Sequence, residues 1–146
     1  MRYGHIQEVI IQPFEPKPGT RMATVPRPCF QDILKTVRIA KRLLPDVGIQ
    51  VPPNLLDSGR LRALVSAVLK AGANDFGGIS PLTPDYINPT NPWPPLQELK
   101  RIVECEGFSL QERLPVYPKF LKNKFMSKEV KRVVRKLADA DGFRAN

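Results

Sequence analysis

The chain has 146 residues, of which 42% are hydrophobic and 25% are charged, the composition of an ordinary globular domain. No apolar run approaches the ~18–20 residues that cross a bilayer, and the first residues lack the apolar segment of a signal peptide. These features exclude a membrane-spanning protein and predict a cytoplasmic one with no membrane partner. The two cysteines, Cys29 and Cys105, lie too far apart for a disulfide framework or a metal knuckle.

The formal net charge of +9 is concentrated near the carboxyl terminus. Eight lysines and arginines fall between Lys119 and Lys136, with only Glu129 opposing them. Such a segment fits a solvated helix face or a surface that neutralises phosphates. We favour the solvated face and expect no nucleic-acid partner, because aromatic residues are sparse there and no RNA-binding signature is present. A polyanion-binding or scaffold module remains the alternative.

Runs of β-branched residues alternate with helical patterns along the chain. Strands are predicted at residues 8–14, 47–55, 74–80 and 108–118. A first helix is predicted from Phe30 to the stop at Pro45. A second begins after Asp57 or Ser58 and stops at Gly72. A third follows two prolines, 94 and 95, and a fourth begins near residue 127. The fourth has an apolar stripe at four positions, Val130, Val133, Val134 and Leu137.

Strands that alternate with helices predict parallel pairing through crossover connections, and therefore an α/β fold. About four parallel strands are too few for a complete (β/α) barrel, which needs about eight. The sequence therefore predicts part of a parallel α/β sheet.

Polar and glycine residues gather where the predicted strands end, which is the edge where parallel α/β folds bind ligands. We predict that this group binds cofactor or substrate: Gln12, Gln50, Asn54, Asn74, Asp75, Gly77, Gly78 and Ser80. Each residue also has a structural interpretation, such as a local turn at Asn54 or a cap on loop amides at Asp75. No catalytic residue is assigned. Trp93 is interpreted as a packing anchor and His5, the single histidine, as structural.

Four contiguous strings resemble one enzyme family. They are "GHIQEVIIQPFEPKPGT" (4–20), "LLPDVGIQVPPNL" (43–55), "AGANDFGGISPLTPDYINPTNPWP" (71–94) and "LQERLPVYPKF" (110–120). Together they resemble the carboxyl-terminal half of 7,8-didemethyl-8-hydroxy-5-deazariboflavin synthase, a radical S-adenosylmethionine subunit of FO synthase. The resemblance implies that residues 1–121 form the carboxyl-terminal half of a TIM-like partial barrel. Residues 122–146 would then form a basic helix and tail.

The resemblance also implies a carbon–nitrogen lyase of deazaflavin coenzyme biosynthesis. In this family a CxxxCxxC loop holds a 4Fe-4S cluster, which reductively cleaves S-adenosyl-L-methionine. The resulting radical acts on a hydroxybenzyl–ribitylaminouracil adduct, and cyclisation releases ammonia and forms the deazaflavin chromophore. A partner synthase subunit makes the adduct from tyrosine. The loop that connects residues 72 and 94 would then hold the cofactor against its glycines.

The sequence departs from this family at one decisive point, because it contains no CxxxCxxC motif. Cys29 and Cys105 do not replace it, since a cubane cluster takes clustered thiolates; both are predicted to be buried or inert. The chain alone should therefore not generate the radical. It is a gene fragment, one part of a split enzyme completed by a companion that carries CxxxCxxC, or a degenerate relative.

Overall fold

The computed structural model of the chain describes residues 4–121 and 126–145. The chain divides into two compact units. One comprises residues 8–108, and the other comprises the described parts of residues 1–7 and 109–146. The domain boundary predicted between residues 121 and 122 stays a prediction.

A short parallel sheet organises the unit of residues 8–108. Strand β1 (Glu8–Ile10) pairs in parallel with β2 (Gly48–Gln50), in a register that places Ile10 opposite Gln50. An isolated parallel bridge between Gln50 and Asp75 adds a third segment on the other side of β2. The predicted α/β class with parallel pairing is confirmed. The prediction of about four strands is wrong, since the described residues contain two strands and this bridge.

The two missing strands have local physical causes. In the segment 74–80, the amide of Gly77, which would make the next ladder bond to β2, donates instead to Oδ1 of Asp75 at 2.6 Å, and Gly77 adopts a φ of 83° that no strand tolerates. In the segment 108–118, Pro115 and Pro118 lack the amide donors that a ladder needs. The first segment therefore pairs with β2 only as far as Asp75, and the second forms no strand.

Three helices form close to the predicted bounds. They are α1 (Phe30–Leu43), α2 (Leu61–Ala71) and α3 (Leu96–Cys105). Helix α1 contacts β2, and α2 packs against both α1 and α3. The end of α2 is fixed at Gly72, which has a φ of 111° and lies where a Cβ atom would clash with the side chain of Lys41. The predicted N-cap of α2 at Asp57 or Ser58 is wrong, since α2 begins after Arg60. Asp57 caps instead the preceding 3₁₀ turn Ser58–Arg60, where its carboxylate accepts from the amide of Gly59.

The other unit contains α4 (Lys128–Leu137), which Ser127 caps by accepting a hydrogen bond from the amide of Val130 at 3.3 Å. The predicted apolar stripe of α4 is largely exposed: Val130, Val133 and Leu137 retain 48%, 53% and 50% of their accessible surface. An antiparallel bridge between Ala138 and Arg144 follows the helix. Within the described parts of the chain, no helix has the length and apolarity to cross a bilayer.

Candidate functional site

The register of the sheet separates an apolar face from a polar one. Bridged partners on parallel strands point to the same side, so Gln50 and Asp75 share one face. Ile49 and Val51 point to the opposite face and are fully buried, and α1 contacts β2 there. The face that carries Gln50 and Asp75 thus places a carboxamide and a carboxylate side by side.

Gly77 completes a strand-end cluster with these two residues, defined here as Gln50, Asp75 and Gly77. The amide of Gly77 donates to Oδ1 of Asp75 at 2.6 Å. A Cβ atom on Gly77 would lie 2.2 Å from Nε2 of Gln50, so only glycine leaves room for that carboxamide. Gln50 is 8% exposed. The cluster therefore joins three of the eight predicted site residues through direct contacts.

The remaining loop residues near this cluster have structural contacts. Asn74 is exposed, and its Oδ1 accepts a hydrogen bond from the amide of Ile49 in β2. Ser80 Oγ accepts from the amides of Leu82 and Thr83 at 3.3 and 3.0 Å, closing a turn. Gly78 is exposed, with open space around its Cα.

Gln12 is an exposed residue two positions beyond β1. The preceding residue, Ile11, extends the ladder by donating its amide to the carbonyl of Gln50 at 2.8 Å. Gln12 is therefore tied to the sheet edge by its neighbour in the chain. Among the described residues, the side chain of Gln12 itself forms no hydrogen bond.

Asn54 belongs to a different environment. Its Nδ2 donates to Oδ2 of Asp85 at 2.9 Å and to the carbonyl of Asn91 at 3.2 Å. It also lines a cavity of about 510 Å³ that none of the seven other predicted residues lines. The structure thus separates Asn54 from the strand-end cluster by its contacts.

Sequence reasoning missed Asp85, which organises the long loop. Its Oδ1 accepts from the amides of Ile87 and Asn88, and its Oδ2 accepts from the side chains of Asn54 and Asn88. Desolvation raises the pKa of Asp85, but these hydrogen bonds outweigh it and hold the pKa below its ordinary value. Lys17 Nζ extends the network by donating to Oδ1 of Asn88 at 2.7 Å. The usable signal was the string "PDYIN", in which an aspartate begins a turn.

The residues present do not fit a 4Fe-4S cluster. Three thiolates are needed by the family pattern and the chain has two cysteines. Among the residues that the structure describes, no group of three or more His, Cys, Asp or Glu side chains is arranged to hold a metal ion. Cys29 and Cys105 are both exposed, so neither thiol is buried, and the alternative that they are inert stays a prediction. Cys29 lies at the N-cap of α1, where its Sγ donates to Oδ2 of Asp32 at 3.0 Å.

Comparison with curated proteins finds synthases that are about half identical to this chain. The chain is 50% identical over 143 residues to the 7,8-didemethyl-8-hydroxy-5-deazariboflavin synthase of Methanopyrus kandleri, covering 97% of this chain. It is 49% identical to the enzyme of that name from Archaeoglobus fulgidus and 50% identical to that from Methanothermobacter thermautotrophicus. The predicted resemblance to these synthases is confirmed.

The match covers less than half of the length of each synthase. The chain spans 41%, 42% and 40% of the lengths of the three relatives, in the same order. No protein-family profile matches the chain, and no solved structure matches it. The parallel α/β architecture is consistent with the partial barrel implied by the synthase resemblance.

Proposed function

We propose that this chain forms the carboxyl-terminal part of the partial barrel of a radical S-adenosylmethionine synthase. The intact enzyme would convert the hydroxybenzyl–ribitylaminouracil adduct into the deazaflavin chromophore, 7,8-didemethyl-8-hydroxy-5-deazariboflavin, with release of ammonia. The observation that carries this proposal is identity of 50% along 97% of the chain to a synthase of that name. A match this extensive includes the sheet, its connections and the long loop.

The strand-end cluster is the part of the chain that we assign to ligand binding. Gln50 presents both a donor and an acceptor, and Asp75 presents acceptors, at the carboxyl ends of parallel segments. Gly77 leaves room for the Gln50 carboxamide at this edge because it carries no side chain. These groups would position an adenosyl cofactor or the adduct. When bound, S-adenosyl-L-methionine and the 4Fe-4S cluster supply the radical.

In this proposal, the ligands of the 4Fe-4S cluster belong to another part of the enzyme. Cys29 and Cys105 do not provide a site, so the CxxxCxxC loop must come from a preceding segment or a companion chain. The tyrosine-derived adduct comes from a partner synthase subunit. The role of this chain is therefore to bind and orient, and to complete the barrel around the reacting groups.

Complementation tests this assignment. The full chain is co-expressed anaerobically with the part of the Methanopyrus kandleri synthase that it does not match, and deazaflavin fluorescence is measured with adduct supplied. We expect fluorescence from the pair and none from either part alone. A well-formed complex that stays inactive would contradict the proposal and favour a degenerate relative.

Two matched substitutions locate the function within the complex. Asp75→Asn keeps an oxygen for the amide of Gly77 and removes the charge, so we expect at least about tenfold less product if the carboxylate contacts a reacting ligand. Asp141→Asn removes the same charge from an exposed position in the other unit and should change nothing. Equal activity of the two variants would show that the Asp75 carboxylate does not contact a reacting ligand.

A second candidate function comes from α4, whose surface carries many cations. The exposed cations of this helix are Lys128, Arg132, Arg135 and Lys136. If these cations neutralise phosphates of an acidic partner, the binding affinity should fall steeply as the salt concentration rises. A gel-shift assay with a generic polyanion tests this candidate. If no shift appears at low salt, or if the shift does not depend on the salt concentration, the candidate function is excluded.

A further inference from the structure

Helix α4 presents an apolar stripe that its own unit leaves largely uncovered. Val130, Val133 and Leu137 retain about half of their accessible surface, and Val134 beside them is half-buried. The four side chains recur at i, i+3, i+4 and i+7, which is the spacing of a helix face that packs against another element. Among the described residues, no strand or helix makes an extensive contact with α4. The stripe is therefore accessible to a partner.

Local hydrogen bonds hold the two ends of α4. At its start, the Ser127 hydroxyl accepts from the amide of Val130 at 3.3 Å. At its end, the amide of Ala145 donates to the carbonyl of Leu137 at 2.8 Å. The stripe is thus presented by a helix that has already formed, so a partner need not supply the ordering free energy that a disordered segment would require.

The charges of α4 favour an acidic partner. Five cations oppose the single acidic residue, Glu129; they are Lys128, Lys131, Arg132, Arg135 and Lys136. Because each residue turns the helix by about 100°, Lys131 and Lys136 border the stripe, and Arg132 lies on the opposite face. A second copy of the chain would bring the same cations against these, and like charges at an interface repel. Carboxylates that flank an apolar surface would instead complement them.

The shape and composition of the stripe favour a protein helix as the partner. A stripe of this spacing is about 100° wide, which suits the packing of one helix on another. Helices that lie on membranes commonly insert Trp, Phe or Leu, whereas the stripe of α4 has three valines, one leucine and no aromatic residue. A nucleic acid would engage the cations through its phosphates and leave the stripe exposed. An acidic amphipathic helix satisfies both the stripe and the charges.

The extent of the match to the synthases indicates where such a helix lies. The match covers 97% of this chain and therefore includes α4, but it covers only 41% of the Methanopyrus kandleri synthase. The greater part of that synthase has no counterpart in this chain.

We propose that α4 docks against an acidic amphipathic helix in the part of the synthase that this chain does not match. The stripe is buried between the two helices, and Lys131 and Lys136 face carboxylates at the rim. The inference rests on the proposed function, since the partner is the remainder of the same enzyme. It involves none of the residues of the strand-end cluster.

Hydrogen exchange of the assembled enzyme tests the docking. The full chain is co-expressed anaerobically with the part of the Methanopyrus kandleri synthase that it does not match. Amide exchange in α4 is then compared between the purified complex and the chain alone. We expect exchange of the α4 amides to slow at least about tenfold in the complex, because burial of the stripe suppresses local opening of the helix. Deazaflavin fluorescence of the same complex reports separately on the proposed function.

Substitutions on the two faces of α4 identify the surface that docks. Val130→Ser combined with Val133→Ser removes half of the stripe; serine and valine have similar helix propensities, so the helix should be kept. The dissociation rate of the complex, measured by biolayer interferometry, should rise at least about tenfold. Lys136→Gln should raise it about threefold, and only at low salt. Arg132→Gln, on the opposite face, is the matched control and should change it by less than about twofold.

Three results overturn the docking. They are α4 amides that exchange equally fast in the complex and in the chain alone, equal dissociation rates for the double-serine variant and the unaltered chain, and failure of the two parts to form a complex. An active complex that shows either of the first two results contradicts the docking alone. An inactive complex in which α4 is protected contradicts the proposed function and leaves the docking in place.

Vesicles of phosphatidylglycerol test the alternative occupant of the stripe. We expect that any binding of the chain to these vesicles is unchanged in the double-serine variant, because that variant keeps every cation of α4. Vesicle binding that the serine substitutions abolish, together with a complex whose dissociation rate they leave unchanged, would identify a membrane as the occupant and overturn the proposal.

Discussion

Helices α2 and α4 have the same apolar spacing and opposite surroundings. In α2, Leu64, Val65 and Val68 are 5%, 0% and 0% exposed. In α4, residues at equivalent spacing remain about half exposed. The difference lies in the neighbours: α1 and α3 both pack against α2, whereas no helix or strand contact of that extent is found for α4 among the described residues. Apolar periodicity therefore specifies a helix face, and burial additionally requires an element to cover it.

The sharpest test of this comparison removes the same side chain from each helix. Leu64→Ala should lower the free energy of unfolding by about 2–5 kcal/mol, because it leaves a cavity in a packed core. Leu137→Ala should cost less than about 1 kcal/mol, since half of that side chain is already exposed. Urea unfolding followed by circular dichroism measures both. Similar losses would show that α4 is covered as α2 is.

Two adjacent glycines test the packing of the strand-end cluster. Gly77→Ala forces a Cβ atom against the carboxamide of Gln50 at a positive φ and should cost about 1–3 kcal/mol. Gly78→Ala has open space and should be nearly neutral. Thermal unfolding of the two variants gives the comparison, and a neutral Gly77→Ala would place the Gln50 side chain elsewhere.

Asp85 makes the stability of the loop depend on acid. Its pKa is lowered in the folded state by the hydrogen bonds it accepts, so the carboxylate stabilises the fold above its unfolded pKa of about 3.9. That stabilisation is lost as the pH falls through the lower, folded pKa.

Asp85→Asn tests this contribution directly. It should reduce stability by about 1–2 kcal/mol at pH 7 and flatten the dependence on pH below about 4. The measurement is the unfolding midpoint between pH 2 and 7, with Asp141→Asn as the control. An unchanged acid limb in Asp85→Asn would contradict the assigned hydrogen bonds.

The smallest expected effect concerns α4, where local contacts replace tertiary ones. Ser127→Ala removes the N-cap and should destabilise the helix by about 0.5–2 kcal/mol. Because the stripe of α4 is exposed, this loss should appear as faster amide hydrogen exchange confined to α4. Protection that persists there would mean that packing, and not the cap, holds the helix.

Sequence reasoning placed the helices well because their limits are local. Pro45 and Gly72 act through the backbone of their own neighbours, and the predicted ends agree with the structure within a residue or two. The third predicted strand failed because a side chain of its own segment competes with the ladder: the Asp75 carboxylate takes the Gly77 amide that would have bonded to β2.

Of the candidate site, the strand-end cluster was predictable from the sequence and the environment of Asn54 was not. The rule that parallel strands end at a common edge brought Gln50 and Asp75 together. The pairing of Asn54 with Asp85 spans 31 residues of sequence and follows no local pattern, so this network was not anticipated. Exposure of both cysteines likewise depends on packing that spacing does not encode.

One measurement tests most directly the claim that this chain supplies ligand-binding groups and no cluster ligands. Deazaflavin fluorescence of the complemented complex is compared for the double variant Cys29→Ser with Cys105→Ser and for Gln50→Leu. The account predicts that the cysteine double variant forms product as the unaltered chain does, while Gln50→Leu forms much less. Loss of product in the cysteine variant, together with full activity of Gln50→Leu, would contradict it.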